Sequence, residues 1–126
     1  MRWLLDSNVW IGGVAGVPHA ANALIKAADL DWCGYSAMSR LEVFGFPRLT
    51  AQEEQRFETL LAQFQEVPVS PVIIQAAIQL RKLVKIKTPD AIIAASALVE
   101  NASLITRNVS DFRSIPNLTV IDPATL

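Results

Sequence analysis

The order of elements predicts an α/β protein, a three-layer sandwich around a mostly parallel sheet of about five strands. Three observations carry that reading. Short apolar runs alternate along the chain with longer stretches of helical period, so that helices join successive strands. The stretch from Ala91 to Val99 is apolar or small all round and suits a helix packed closely on a sheet. Finally, 126 residues, 52% hydrophobic and 18% charged, suffice for one domain with a sizeable core, and residues 1–126 are read as a single domain. The same figures exclude a disordered chain or a coiled coil, and the apolar surplus points to a partner surface as well as a core.

Trp3-Leu4-Leu5 is a short apolar run that stops at Asp6-Ser7-Asn8, a natural exit from strand to loop. Gly12, Gly13 and Gly16 mark that loop, and His19 to Asp29 follows as an alanine-rich helix. Asp31 to Ala37 reads as the second strand. Ser39 is placed to cap a short helix that carries Glu42 and ends at Pro47. Thr50, with Glu53 three residues on, forms a capping box that opens a helix with Phe57, Leu60, Leu61 and Phe64 on one face. Val67 to Val69 makes a brief third strand, and Pro71 opens a helix running to about Val84. Thr88-Pro89-Asp90 starts the next one: a cap, a proline in the first turn and an acid at the positive end of the dipole. Ser103 to Thr106 and Leu118 to Ile121 finish as fourth and fifth strands. No internal repeat, low-complexity tract or interdomain linker interrupts this order.

Eleven Lys and Arg against twelve Asp and Glu leave a net charge of −1, which advertises neither nucleic acid nor membrane. The charge is unevenly spread. Residues 1–80 hold five basic and eight acidic side chains, residues 81–126 six and four. Arg81, Lys82, Lys85 and Lys87 stand together with no acid between them, either as the wetted face of a helix or as phosphate contacts. The single cysteine, Cys33, excludes an intramolecular disulfide and a cysteine-rich metal site, and its neighbours Trp32 and Tyr35 suit a buried small hydrophobe. Asp6 interrupts the apolar start and the glycines break the stretch after it. Neither a secretion signal nor a membrane span is expected, and the chain reads as cytoplasmic.

Four of the twelve acids are set apart. Asp6 follows the first strand directly, Glu42 sits among Leu41, Val43 and Phe44, Asp90 begins the most apolar helix, and Asp111 follows the fourth strand. In a parallel α/β sheet the carboxyl ends of the strands and the starts of the following helices converge on one edge, where ligands bind. Asp6, Asp90 and Asp111 belong to that edge. Carboxylates crowded there repel one another unless a cation joins them, and hard divalent ions with oxygen ligands, Mg²⁺ or Mn²⁺, suit such a cluster. Taken singly, each acid also has an ordinary role: Asp6 as a turn former, Asp90 at a helix start, Asp111 in an exposed loop, Glu42 paired with Arg40 or Arg48. A phosphoacceptor receiver domain shares the length, fold class and strand-end acids. It needs an aspartate after a central strand and a lysine near the last strand, whereas here the third strand ends Val69-Ser70-Pro71 and no lysine follows Lys87.

Leu4-Leu5-Asp6-Ser7-Asn8-Val9-Trp10-Ile11, Ser39-Arg40-Leu41-Glu42, Pro89-Asp90-Ala91-Ile92-Ile93-Ala94-Ala95 and Leu104-Ile105-Thr106-Arg107-Asn108-Val109-Ser110-Asp111-Phe112 resemble the successive motifs of PIN-domain ribonucleases. The VapC-type toxins of toxin–antitoxin pairs are the nearest group, and the resemblance spans essentially the whole chain. It implies a Mg²⁺- or Mn²⁺-dependent endoribonuclease with a PIN-like fold, in which Asp6, Glu42, Asp90 and Asp111 form the catalytic, metal-holding quartet. Some relatives place the fourth acid where this chain has Asn108. Ser7 replaces a commoner threonine, and Thr106 is implied as a supporting hydroxyl or phosphate contact. Ser7, Asn8, Arg107 and Asn108 complete the surrounding and substrate-binding set, with Lys85 and Lys87 as further phosphate contacts. In such a reaction one or two metal ions lower the pKa of a water and stabilise the charge developing on the phosphate. The lone His19 cannot support a metal-free, two-histidine mechanism. The resemblance also implies an RNA substrate, a homodimer, and a cognate antitoxin bound around the first two helices and the helix at 51–65. The alternative is a PIN-like module that keeps the fold and acts by binding protein or RNA without catalysis.

Overall fold

The computed structural model describes residues 1–126. Five strands form one sheet: β1 (Arg2–Leu5), β2 (Trp32–Ser36), β3 (Gln65–Val67), β4 (Ser103–Ile105) and β5 (Val120–Ile121). Their order is β3-β2-β1-β4-β5, and every neighbouring pair is parallel. A parallel sheet requires each connection to return the chain to the starting edge, and helices do so here. They are α1 (Ser7–Val14), α2 (Pro18–Ala27), α3 (Ala37–Phe44), α4 (Ala51–Leu61), α5 (Pro71–Leu83), α6 (Thr88–Val99) and α7 (Val109–Phe112), with a 3₁₀ turn at Pro123–Thr125.

Alternation along the central strand sorts the core into two halves. Trp3 and Leu5 pack with Val9, Trp10, Ala20 and Phe57 on one face, and Leu4 packs with Ile73, Leu80, Ile93 and Phe112 on the other. Leu104 and Ile105 of β4 part in the same way. Helices α1, α2 and α4 therefore cover one face, and α5, α6 and α7 the other, which makes the three expected layers. Residues Ala91 to Ala97 of α6 are buried without a gap. No helix is long and apolar enough to cross a membrane.

Several elements differ from the sequence-based expectation, each for a local reason. Gly12 and Gly13 mark no loop: they lie inside α1, which begins one residue after Asp6. A Cβ on Gly12 would stand 3.0 Å from the Ala20 Cβ of α2, so this glycine permits a close approach of two helices. The turn itself is made by Gly16 at φ +83°, a conformation that strains other residues. Ser36, and not Ser39, caps α3, its hydroxyl accepting the Met38 N–H at 3.1 Å. The cap position of α6 falls on Lys87 with no side-chain bond, and Thr88, Pro89 and Asp90 fill the first turn. Strand β3 lies two residues earlier than expected because Pro68 has no N–H to continue the ladder. The capping box of Thr50 and Glu53 and the proline start of α5 stand as read.

Candidate active site

The carboxyl ends of β1 and β4 and the starts of the helices that follow build the site. The Asp6 N–H still donates to the Ile105 carbonyl at 2.9 Å, extending the β1–β4 pairing by one residue. Asp6 then caps α1, its Oδ1 accepting the Ser7 N–H at 2.8 Å. Its Oδ2 accepts from the Thr106 hydroxyl at 2.8 Å and from Asn8 Nδ2 at 3.2 Å. Thr106, one residue past β4, is wholly buried, and its Oγ1 in turn accepts the Asn108 N–H at 3.0 Å. The one hydroxyl proton is thus committed to Asp6. The Arg107 N–H donates to Asn8 Oδ1 at 3.3 Å, so the segments after β1 and β4 hold each other.

Glu42, half-buried on α3, accepts the Ser7 hydroxyl at 2.7 Å. The Ser39 hydroxyl lies 2.9 Å from the same Ser7 oxygen. With its single proton given to Glu42, Ser7 accepts that of Ser39. Sequence reasoning placed Ser39 at a helix cap and missed this chain of hydroxyls. The signal was present in the spacing, because residues three apart on a helix share a face. Neither arginine pairs with Glu42: Arg40 reaches Glu66 on β3 instead, and Arg48 makes no ion pair.

Asp6, Glu42 and Asp90 line one cleft of about 440 Å³, with Ser7, Asn8 and Asn108 among them and Ile11, Phe46 and Pro47 as its apolar wall. Asp111 is not in it. From α7 it lines an adjoining cleft of about 480 Å³ that shares Asp90. The structure therefore brings three of the four expected acids to one cleft together with Asn108, while Asp111 lines the adjoining cleft, close enough for its charge to act on Asp90. No three acids of the chain stand close enough to form a ready-made cage for an ion. Like charges delivered by separate elements keep apart. The Arg107 side chain is exposed and lines neither cleft, and His19 is exposed on α2.

Burial is the largest influence on Asp6 and pushes its carboxyl up from 3.8 to about 6. The Thr106 hydroxyl and the Ser7 N–H pull it down, while the Asp90 and Glu42 charges add to the rise. Asp90 is raised by partial burial first, then by Asp111 and Glu42, against the opposing Lys87. Carboxylates that raise one another are relieved by a bound cation, and an all-oxygen donor set suits a hard one. In charge and donor chemistry the cleft fits Mg²⁺ or Mn²⁺, although its acids are not gathered into a finished coordination shell.

A family model for the PIN domain matches residues 3–118. The chain belongs to the PIN-domain family. Solved structures agree with that assignment. A toxin–antitoxin complex from Klebsiella pneumoniae has a chain 34% identical, with a TM-score of 0.81, covering 95% of this chain and 96% of that one. VapBC-1 from nontypeable Haemophilus influenzae superposes at 0.81 with 25% identity, covering 98% and 99%. VapBC2 from Rickettsia felis, bound to a DNA fragment from its promoter, gives 0.79 and 25%, covering 95% and 97%. These neighbours bear out the VapC-type resemblance read from the motifs. No curated protein sequence matches the chain. PIN-domain membership and the VapBC neighbours together support a nuclease of the toxin–antitoxin class.

Proposed function

We propose that this PIN domain is the toxin of a toxin–antitoxin pair and hydrolyses RNA phosphodiester bonds with the help of Mg²⁺ or Mn²⁺. The observation that carries the reading is the cleft at the sheet edge, where Asp6, Glu42 and Asp90 face a common space. Asp6, Glu42 and Asp90 would hold the ion, with Asn108 or Asp111 completing its surroundings. Bound there, the ion would lower the pKa of a water and offset the charge that builds on the phosphate. The chain's own residues do the positioning. Thr106 and Asn8 orient Asp6 through hydrogen bonds to Oδ2, and Ser39 and Ser7 aim the Glu42 carboxylate. Asn108 presents an amide to the same cleft, where it can meet the substrate, and Arg107 stands exposed beside it. A cognate antitoxin is the proposed partner, covering part of this surface, and the active form is proposed to be a homodimer.

One observation favours a second reading, a PIN-fold binding module without catalysis: the absence of three closely gathered acids. A single assay separates the two. The purified chain is given total cellular RNA in Mn²⁺, in Mg²⁺ and in EDTA, beside the Asp6→Asn variant, and product ends are mapped. Cleavage with either ion that EDTA and Asp6→Asn both abolish supports the nuclease. Equal cleavage in EDTA, or none under any condition with intact RNA binding, overturns it.

A further inference from the structure

Six of the chain's eleven cations lie beyond residue 80, and Arg81, Lys85 and Lys87 line the cleft next to the acidic one, together with Ser110 and Ser114. Helix α5 ends at Leu83, and the connection to α6 brings Lys85 and Lys87 beside Arg81 at one cleft that Lys82 does not line. None of the three is spent on an ion pair. The chain's pairs join Arg2 to Glu100, Arg40 to Glu66 and the amino terminus to Asp31. Asp90 lines both clefts, so they adjoin; the first holds Asp6 and Glu42, and the second sets three cations against two acids, Asp90 and Asp111.

We propose that the basic cleft binds backbone phosphate of single-stranded RNA on one side of the cleaved bond, with Arg81, Lys85 and Lys87 supplying charge and Ser110 and Ser114 hydroxyl donors. The inference rests on the nuclease reading of the acidic cleft. An acidic cleft on a protein of net charge −1 has no general attraction for a polyanion, so the affinity must be local. Cations held in no direct ion pair provide it most readily, because condensed counterions are released from the strand as they bind. Arg81 adds a fork that can take two phosphate oxygens at once.

The test compares the wild-type chain with the triple variant Arg81→Gln, Lys85→Gln, Lys87→Gln and with Lys26→Gln, a control on α2 outside both clefts. A labelled single-stranded oligoribonucleotide is titrated in EDTA at several salt concentrations, and cleavage kinetics are followed in Mn²⁺. Binding by the triple variant should weaken at least tenfold at about 0.1 M salt. Its slope of log affinity against log salt should be shallower by about 2, since a single strand contributes roughly 0.7 per phosphate contact. KM should rise with kcat little changed, and Lys26→Gln should match wild type. Lys87→Gln alone, with a slope change of about 0.7, serves if the triple variant does not fold. An unchanged slope and KM would overturn this inference and leave the nuclease reading standing. Wild-type cleavage that ignores EDTA would overturn the nuclease reading and take this inference with it.

Discussion

Asp6 ends a strand, caps a helix and supplies the most buried carboxylate of the acidic cleft, and these roles conflict electrostatically. Its displacement from 3.8 to about 6 corresponds to about 3 kcal/mol between its two protonation states. The native state holds the proton more tightly than the unfolded chain. This contribution is therefore fully present below about pH 4 and is lost as pH rises through about 6. Thermal melts in EDTA should show wild type losing stability relative to Asp6→Asn across that window, by up to about 3 kcal/mol. Added Mn²⁺ should raise the wild-type Tm more at pH 7.5 than at pH 5 and leave the variant unmoved; a rise of equal size in both would contradict the assignment of Asp6 as a ligand. Ser7 is the second test at this scale. Ser7→Ala removes the hydroxyl on Glu42 and should cost about 1.5–3 kcal/mol, the range for a hydrogen bond to a charged group, and lower cleavage roughly tenfold. Ser7→Thr, which keeps the hydroxyl, should retain both stability and cleavage.

At the scale of elements, signals confined to a few neighbouring residues were legible and those depending on a neighbouring helix were not. Thr50 and Glu53 satisfy each other within one turn, and α4 begins where that pair places it. Thr50→Ala should cost about 1 kcal/mol, read as a lowered Tm with unchanged cleavage. Gly12 and Gly13 look the same in sequence as Gly16, yet only Gly16 turns the chain. The other two differ because α2 passes beside them, a fact held in Ala20 and Leu24. Gly12→Leu should push α1 from α2 and destabilise by about 1–3 kcal/mol, the usual cost of overpacking. Because α1 begins at the residue after Asp6, cleavage should fall as well, whereas Thr50→Ala leaves it alone. Helix α7, four residues long, is too short to carry a periodic signal, and so the place of Asp111 in the adjoining cleft could not be read.

Across the whole molecule, the parallel sheet gathers side chains from distant parts of the chain. Asp6 and Thr106, 100 residues apart, meet because β1 and β4 are neighbours. Beside Glu42 on α3, Leu41 is 67% exposed and lines a groove with Phe44, Arg40, Glu54 and Glu58 between α3 and α4. An antitoxin covering that groove would bury it, and Leu41→Glu should weaken a co-purified complex at least tenfold while leaving RNA cleavage intact; an undiminished complex would place the partner elsewhere. The residue order by itself determined the fold class, the α4 capping box and the buried α6, because period, capping and motif order are written in short stretches of chain. Only the tertiary structure decided that Asn108 and not Asp111 enters the acidic cleft, that Ser39 bonds Ser7, and that three of four clustered cations line a second cleft. Those are distances between segments far apart in sequence, and they exist only once the sheet has brought the segments together.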